Sequence, residues 1–203
     1  MKKALISTLI IVLSLSNVFT QITKENTFSF GADCFPIHLQ NNGTKYCTID
    51  VNRSHKKSTI HFYNADHTLF RSITIQLNRF LDTSRYEKWG IWYKNISDNL
   101  FNTDDKIEVL FAIEAYGHNA EPYDAVFVLN EEGIRLFEKH NATFDMLNFY
   151  YGKQMQNIYQ FNGDAKMILG CHKNDSFKHI IYDLPGSFNS NLFNVPPGIT
   201  YKK

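Results

Sequence analysis

The feature that most constrains this chain is a repeated alternation of apolar and polar residues in short runs, each stopped by Asn, Asp or Gly. Ser58 to Tyr63 reads Ser-Thr-Ile-His-Phe-Tyr and Thr68 to Leu77 reads Thr-Leu-Phe-Arg-Ser-Ile-Thr-Ile-Gln-Leu, with Asn64-Ala65-Asp66-His67 between them. Successive side chains of a strand point to opposite faces, so a run of period two buries one face. Two such runs around an Asn/Asp turn predict a hairpin. The pattern recurs. Lys45 to Val51 is β-like, and Trp89 to Asn95 is a strand aromatic on both faces. Lys106 to Ala115 places Ile107, Val109, Phe111 and Ile113 on one side. Asp124 to Asn130 turns at Glu131-Glu132-Gly133 into Ile134 to Phe137, and Asn157 to Phe161 turns at Asn162-Gly163-Asp164 into Ala165 to Gly170. Phe177 to Leu184 closes the series at Pro185-Gly186, while Phe144 to Tyr151 reads equally as a short helix or a strand.

Composition agrees. The chain holds 17 Phe and 11 Tyr among 203 residues, and aromatic and β-branched side chains fit a pleated surface. No long stripe of period 3.6 appears. The expectation is an all-β domain, an antiparallel hairpin meander forming a sandwich or partly closed barrel, with a propeller-like arrangement of short blades as the alternative.

The N-terminus carries a different signal. Lys2 and Lys3 precede an apolar stretch from Ala4 to Leu15, followed by the more polar Ser16-Asn17-Val18-Phe19-Thr20-Gln21. This is the order of a secretory signal peptide. Its apolar core is about a dozen residues, short of the roughly 20 needed to span a bilayer. We expect a signal peptide over 1–20, cleaved near Thr20 or Gln21, with no stable membrane span afterwards. A lead-in arm or strand would occupy 21–44, the β-domain 45–186, and a Ser/Asn/Pro/Gly-rich tail 187–203. The first cysteine is Cys34, too distant from the apolar core for a lipoprotein anchor.

Loss of Lys2 and Lys3 would move the formal net charge from +1 to about −1, which gives no electrostatic footprint for nucleic acid. The run Arg53-Ser54-His55-Lys56-Lys57 reads as a solvated loop. Cys34, Cys47 and Cys171 leave at least one thiol without an intramolecular partner, and a Cys34–Cys47 bridge and three ordinary thiols both fit the spacing. Five Asn-x-Ser/Thr acceptors, at Asn42, Asn52, Asn95, Asn141 and Asn174, read as chance in an Asn-rich chain.

Four stretches carry a resemblance: Ile60-His61-Phe62-Tyr63-Asn64-Ala65-Asp66-His67-Thr68-Leu69-Phe70, Ile96 through Glu108 with Leu100-Phe101-Asn102-Thr103-Asp104-Asp105-Lys106-Ile107-Glu108 as its most specific part, Val128-Leu129-Asn130-Glu131-Glu132-Gly133, and Ile181-Tyr182-Asp183-Leu184-Pro185-Gly186. In this order they resemble an exported β-rich domain of Bacteroidota proteins that commonly precedes a type IX secretion C-terminal sorting domain. The resemblance covers about Lys45 to Gly186 and implies export, with no assigned activity and hence no transferable catalytic residues. The residues after Gly186 do not read as a sorting domain, so the expected destination is the periplasm or the medium.

Candidate sites are few. Trp89, Trp92 and Tyr93 fall within five residues and form the best binding candidate, an aromatic shelf for a glycan or an extracellular protein. Phe149, Tyr150 and Tyr151 are a second aromatic cluster. Asn102, Asp104, Asp105 and Glu108 concentrate oxygen ligands and make a candidate calcium site, against a reading as an ordinary Asx turn. His61 and His67 could face one another across their hairpin. No Gly-x-Ser-x-Gly, His-x-x-x-His or phosphate loop is present, so the leading expectation is a non-enzymatic binding, adhesion or structural module. A carbohydrate-active hydrolase, with carboxylates drawn from Glu108, Glu114, Asp124 and Glu131 and joined only by the fold, is the alternative.

Overall fold

A computed structural model describes residues 27, 34–117, 120–144, 157–173 and 176–187. The signal peptide over 1–20, the Phe149-Tyr150-Tyr151 cluster and the tail from 188 onward lie outside them. The described chain is all-β, with three four-stranded antiparallel sheets, none closed into a barrel. The first sheet runs β1 (Cys34–Leu39), β2 (Gly43–Asn52), β3 (Lys57–Tyr63) and β4 (Leu69–Gln76) in consecutive order. The second runs β5 (Lys88–Ser97), β6 (Glu108–Gly117), β7 (Ala120–Asn130) and β8 (Arg135–His140). The third comprises β9 (Ala142–Thr143), β10 (Ile158–Phe161), β11 (Asp164–Lys173) and β12 (Ser176–Leu184), with both β9 and β10 pairing β11.

Each hairpin foreseen from alternation forms. Turn chemistry sets the registers. Asn162 and Gly163 have φ of 53° and 96°, the two positive values that a tight two-residue hairpin needs. His67 takes φ 68° in the β3–β4 turn, where Asp66 accepts from the backbone N–H of Thr68. The two-residue β9 escaped the sequence reading, while β1 lies in the 21–44 segment expected as an arm or lead-in strand and pairs β2 from Cys34↔Thr48 to Leu39↔Gly43. Register also separates Cys34 from Cys47, since Phe35 and not Cys34 stands opposite Cys47. The two thiols therefore point to opposite faces, Cys34 exposed and Cys47 buried, and all three cysteines are free.

The second sheet is the middle layer. Its residues Ile91, Tyr93, Val109, Phe111, Ile113, Ala125, Phe127 and Leu129 join Ile37, Leu39, Ile49, Ile60, Phe62, Ile73 and Ile75 of the first sheet in one buried cluster. Its opposite face supplies Leu110, Ala112, Val126 and Val128, which join Met167, Leu169 and Cys171 of the third sheet in another. Both faces of β6 and β7 are covered, which explains their near-continuous apolar runs. Phe80, Phe111 and Phe127 stack through the first cluster at centroid distances of 4.8 to 5.7 Å.

Polar side chains lock the ends. Asp98 is fully buried and its carboxylate accepts from the N–H groups of Gln40, Asn41 and Asn42 at 2.7–2.9 Å and from the Asn42 side-chain amide at 2.8 Å. It thereby ties the β1–β2 turn to the β5–β6 loop. Glu131 binds the Arg71 guanidinium and caps the Ile107 N–H, joining the first sheet to the second. Gly186 and Ser187 donate to the carbonyls of Leu100 and Asn99, closing the β-domain where Pro185-Gly186 marked its end.

Candidate functional site

On β6 the residues facing the third sheet are Glu108, Leu110, Ala112 and Glu114, and on β7 they are Asn130, Val128, Val126 and Asp124. The apolar members are covered by the third sheet. Beyond them the same face turns acidic, and Glu114 and Asp124 stand directly opposite one another. Residues so paired have Cβ atoms about 4.5–5.5 Å apart, and like charges there repel. Burial raises both carboxyls above their usual range, and for Glu114 the neighbouring Asp124 charge adds to it. One oxygen of Asp124, Oδ1, is buried without a hydrogen-bond partner among the described residues.

Trp92 frames the pair. Its indole N–H donates to Glu114 Oε2 at 3.0 Å. The residue across from Glu114 on β5 is Gly90, and a Cβ there would come within 3.2 Å of Trp92 Nε1. Glycine thus leaves the space in which the indole folds back over the strand toward the carboxylate.

Two bulges flank this spot. The β5–β6 register shifts between Tyr93 and Asn95, leaving Lys94 as the extra residue, and the β6–β7 register shifts between Ala115 and Gly117, where Tyr116 stands opposite the two residues Glu121 and Pro122. Bulges re-aim side chains and are enriched beside functional sites. Lys94 lies 5.3 Å over the Phe144 ring, and burial lowers its pKa while Glu114 opposes the fall. Tyr116 is 43% exposed, and burial followed by the two carboxylates pushes its hydroxyl up to about 12. His172 of β11 is close enough to draw the Asp124 pKa down. An aromatic face, two carboxyls, an ammonium, a phenol and an imidazole thus meet at the rim where the third sheet stops. Such a rim can exchange several hydrogen bonds with a polyhydroxylated ring stacked on the indole.

The aromatic shelf read from the sequence needs correction. Trp92 is at the rim, but Tyr93 is buried between the first two sheets and donates to Ser58 Oγ at 2.6 Å. Trp89 packs against that same apolar cluster. Alternation along β5 sends Trp89 and Tyr93 to one face and Trp92 to the other, and both faces of this middle sheet are covered.

Asn102, Asp104, Asp105 and Glu108 do not converge. Asn102 Oδ1 accepts from the Asp104 N–H and Asp104 Oδ1 from the Lys106 N–H, as in Asx turns. Asp105 accepts through its backbone carbonyl from the Asn42 amide. Glu108 points inward, is fully buried, and accepts from the Phe101 N–H at 3.0 Å. Burial pushes its carboxyl up to about 8. No group of three or more His, Cys, Asp or Glu side chains is arranged to hold a metal among the described residues.

His61 stands across from Ser72, and His67 stacks on Tyr46 instead of meeting it. Of the Asn-x-Ser/Thr acceptors, Asn95 is buried and the Asn42 amide is engaged by Asp98. Lys94, Tyr116 and His172 were not singled out from the sequence. Parity puts Glu114 and Asp124 on the same side as Leu110, Ala112, Val126 and Val128, but it puts Glu108 and Asn130 there too and does not by itself single them out. No family model, curated protein or solved structure matches this chain.

Proposed function

We propose that the protein is an exported, non-enzymatic β-module that binds a glycan at the rim formed by Trp92, Glu114, Asp124 and Tyr116. The observation that carries the reading is the placement of two acids opposite one another beside an indole, at the end of a face whose middle is the apolar Leu110, Ala112, Val126 and Val128. Carboxyl oxygens accept from vicinal hydroxyls, and the indole offers a stacking surface. Export rests on the N-terminal charge and apolar order over 1–20, with the periplasm or the medium as destination.

A glycan array probed with the chain lacking residues 1–20 tests this. Saturable binding of one glycan class, lost in Trp92→Ala and in Glu114→Gln, is expected. Equal binding by both variants would reject the site.

A second reading has its own support. Glu114 and Asp124 are direct cross-strand neighbours, and a close pair of carboxyls is what retaining glycosidases use. It predicts new reducing ends when the bound glycan is incubated with the chain, and their loss in Asp124→Asn. The binding reading expects no such release.

A further inference from the structure

A separate pocket opens on the far side of the middle sheet, between the edge strands β4 and β8. Its volume is about 350 Å³, and it is lined by Thr74, Gln76, Arg79, Phe80, Leu129 and Arg135. It shares no residue with the Trp92 rim and does not depend on the reading given to that rim. Leu129 and Phe80 form an apolar floor and wall, and two arginines stand at the mouth.

The two guanidiniums differ. Arg135 is fixed. It lies over the Phe80 and Phe127 rings at 5.1 and 5.4 Å, pairs with Glu138, and donates to the Arg79 carbonyl at 3.3 Å. Stacking of this kind holds the planar fork in one orientation. Arg79 closes the short 3-10 turn Leu77–Arg79, and its guanidinium has no acidic or hydrogen-bonding partner among the described residues. The acids of the neighbouring turn are engaged elsewhere: Glu131 with Arg71 and the Ile107 N–H, Glu132 with Lys106. The pocket therefore holds two positive charges against the single carboxylate of Glu138.

We propose that this pocket binds a small organic anion. A carboxylate or phosphate monoester would sit between Arg79 and Arg135, with a flat or apolar body against Phe80 and Leu129. An arginine fork matches both anion types in a bidentate way, and the volume suits a ligand the size of a single substituted ring. The preformed stacking of Arg135 reduces what binding must immobilise.

Benzoate, phenyl phosphate and the neutral isostere benzamide, each at constant ionic strength, are the probes. Calorimetric titration and melting curves of the chain lacking residues 1–20 are the readouts. At least one anion is expected to bind saturably and raise Tm, and benzamide to do neither. The better of the two anions identifies the headgroup. Arg79→Ala is expected to lower affinity by about tenfold or more, the worth of a charge-assisted hydrogen bond, with Tm little changed in the absence of anion because Arg79 is exposed. Arg79→Lys should retain part of the affinity. The proposal is overturned if neither anion shifts Tm beyond matched sodium chloride, or if Arg79→Ala binds as tightly as the parent chain.

Discussion

The middle sheet faces two different interiors. Toward the first sheet it is apolar from Ile91 through Leu129, and its buried polar contact there, Tyr93 to Ser58, is satisfied. Toward the third sheet it is apolar only in its middle, at Leu110, Ala112, Val126 and Val128, with buried Glu108 and Asn130 at one end and Glu114 and Asp124 at the other, and Glu108 Oε1 and Asp124 Oδ1 have no hydrogen-bond partner among the described residues. The same strands make both faces, so strand propensity cannot explain the contrast. An apolar residue at either acid position would extend the second core and remove a like-charge repulsion. The first interior is closed by apolar side chains, and the second ends in acids at an open rim.

The contrast predicts a ranking of mutational effects. Phe111 is fully buried in the first interior, so Phe111→Ala should cost about 3–5 kcal/mol by denaturant unfolding. A cost below about 1 kcal/mol would mean that this interior is not the principal core. Next is Asp98, whose carboxylate accepts four hydrogen bonds from the β1–β2 turn. Asp98→Ala should cost about 3 kcal/mol and free the turn amides to hydrogen exchange, since buried donors to a charged acceptor are stranded.

Glu108 links stability to pH. Its carboxyl is raised from 4.5 to about 8 in the fold, so the folded state holds a proton that the unfolded chain releases. The contribution is fully present below about pH 4.5, declines as pH rises, and is gone above about 8. Glu108→Gln should flatten the stability profile between those limits. An unchanged slope would show that the carboxyl is ionised in place.

The smallest effect runs in the opposite direction. Glu114→Gln with Asp124→Asn should leave stability unchanged or raise it by up to about 1 kcal/mol, because it removes a like-charge cross-strand pair. A loss of several kcal/mol would mean that the pair is structural and would erase the difference between the two interiors.

Much of this fold was legible. The hairpins around Asn64–His67, Glu131–Gly133 and Asn162–Gly163 follow from alternation and turn chemistry, both local. The stacking order of the sheets was not, because which side of β5 meets which partner depends on contacts between distant segments. That is why Trp89, Trp92 and Tyr93 read as one shelf and lie on two faces. For the same reason Asn102, Asp104, Asp105 and Glu108 read as a ligand cluster although Glu108 faces inward. Strand β1 carried too few alternations to stand out before its pairing with β2.

The most direct measurement of the central claim pairs binding with stability in one variant. The Glu114→Gln/Asp124→Asn chain is titrated with the glycan class recovered from the array and unfolded in denaturant alongside the parent. The account predicts that glycan binding is lost while the unfolding free energy is equal to or above that of the parent. Retained binding, or lost binding together with a several-kcal/mol loss of stability, would contradict it.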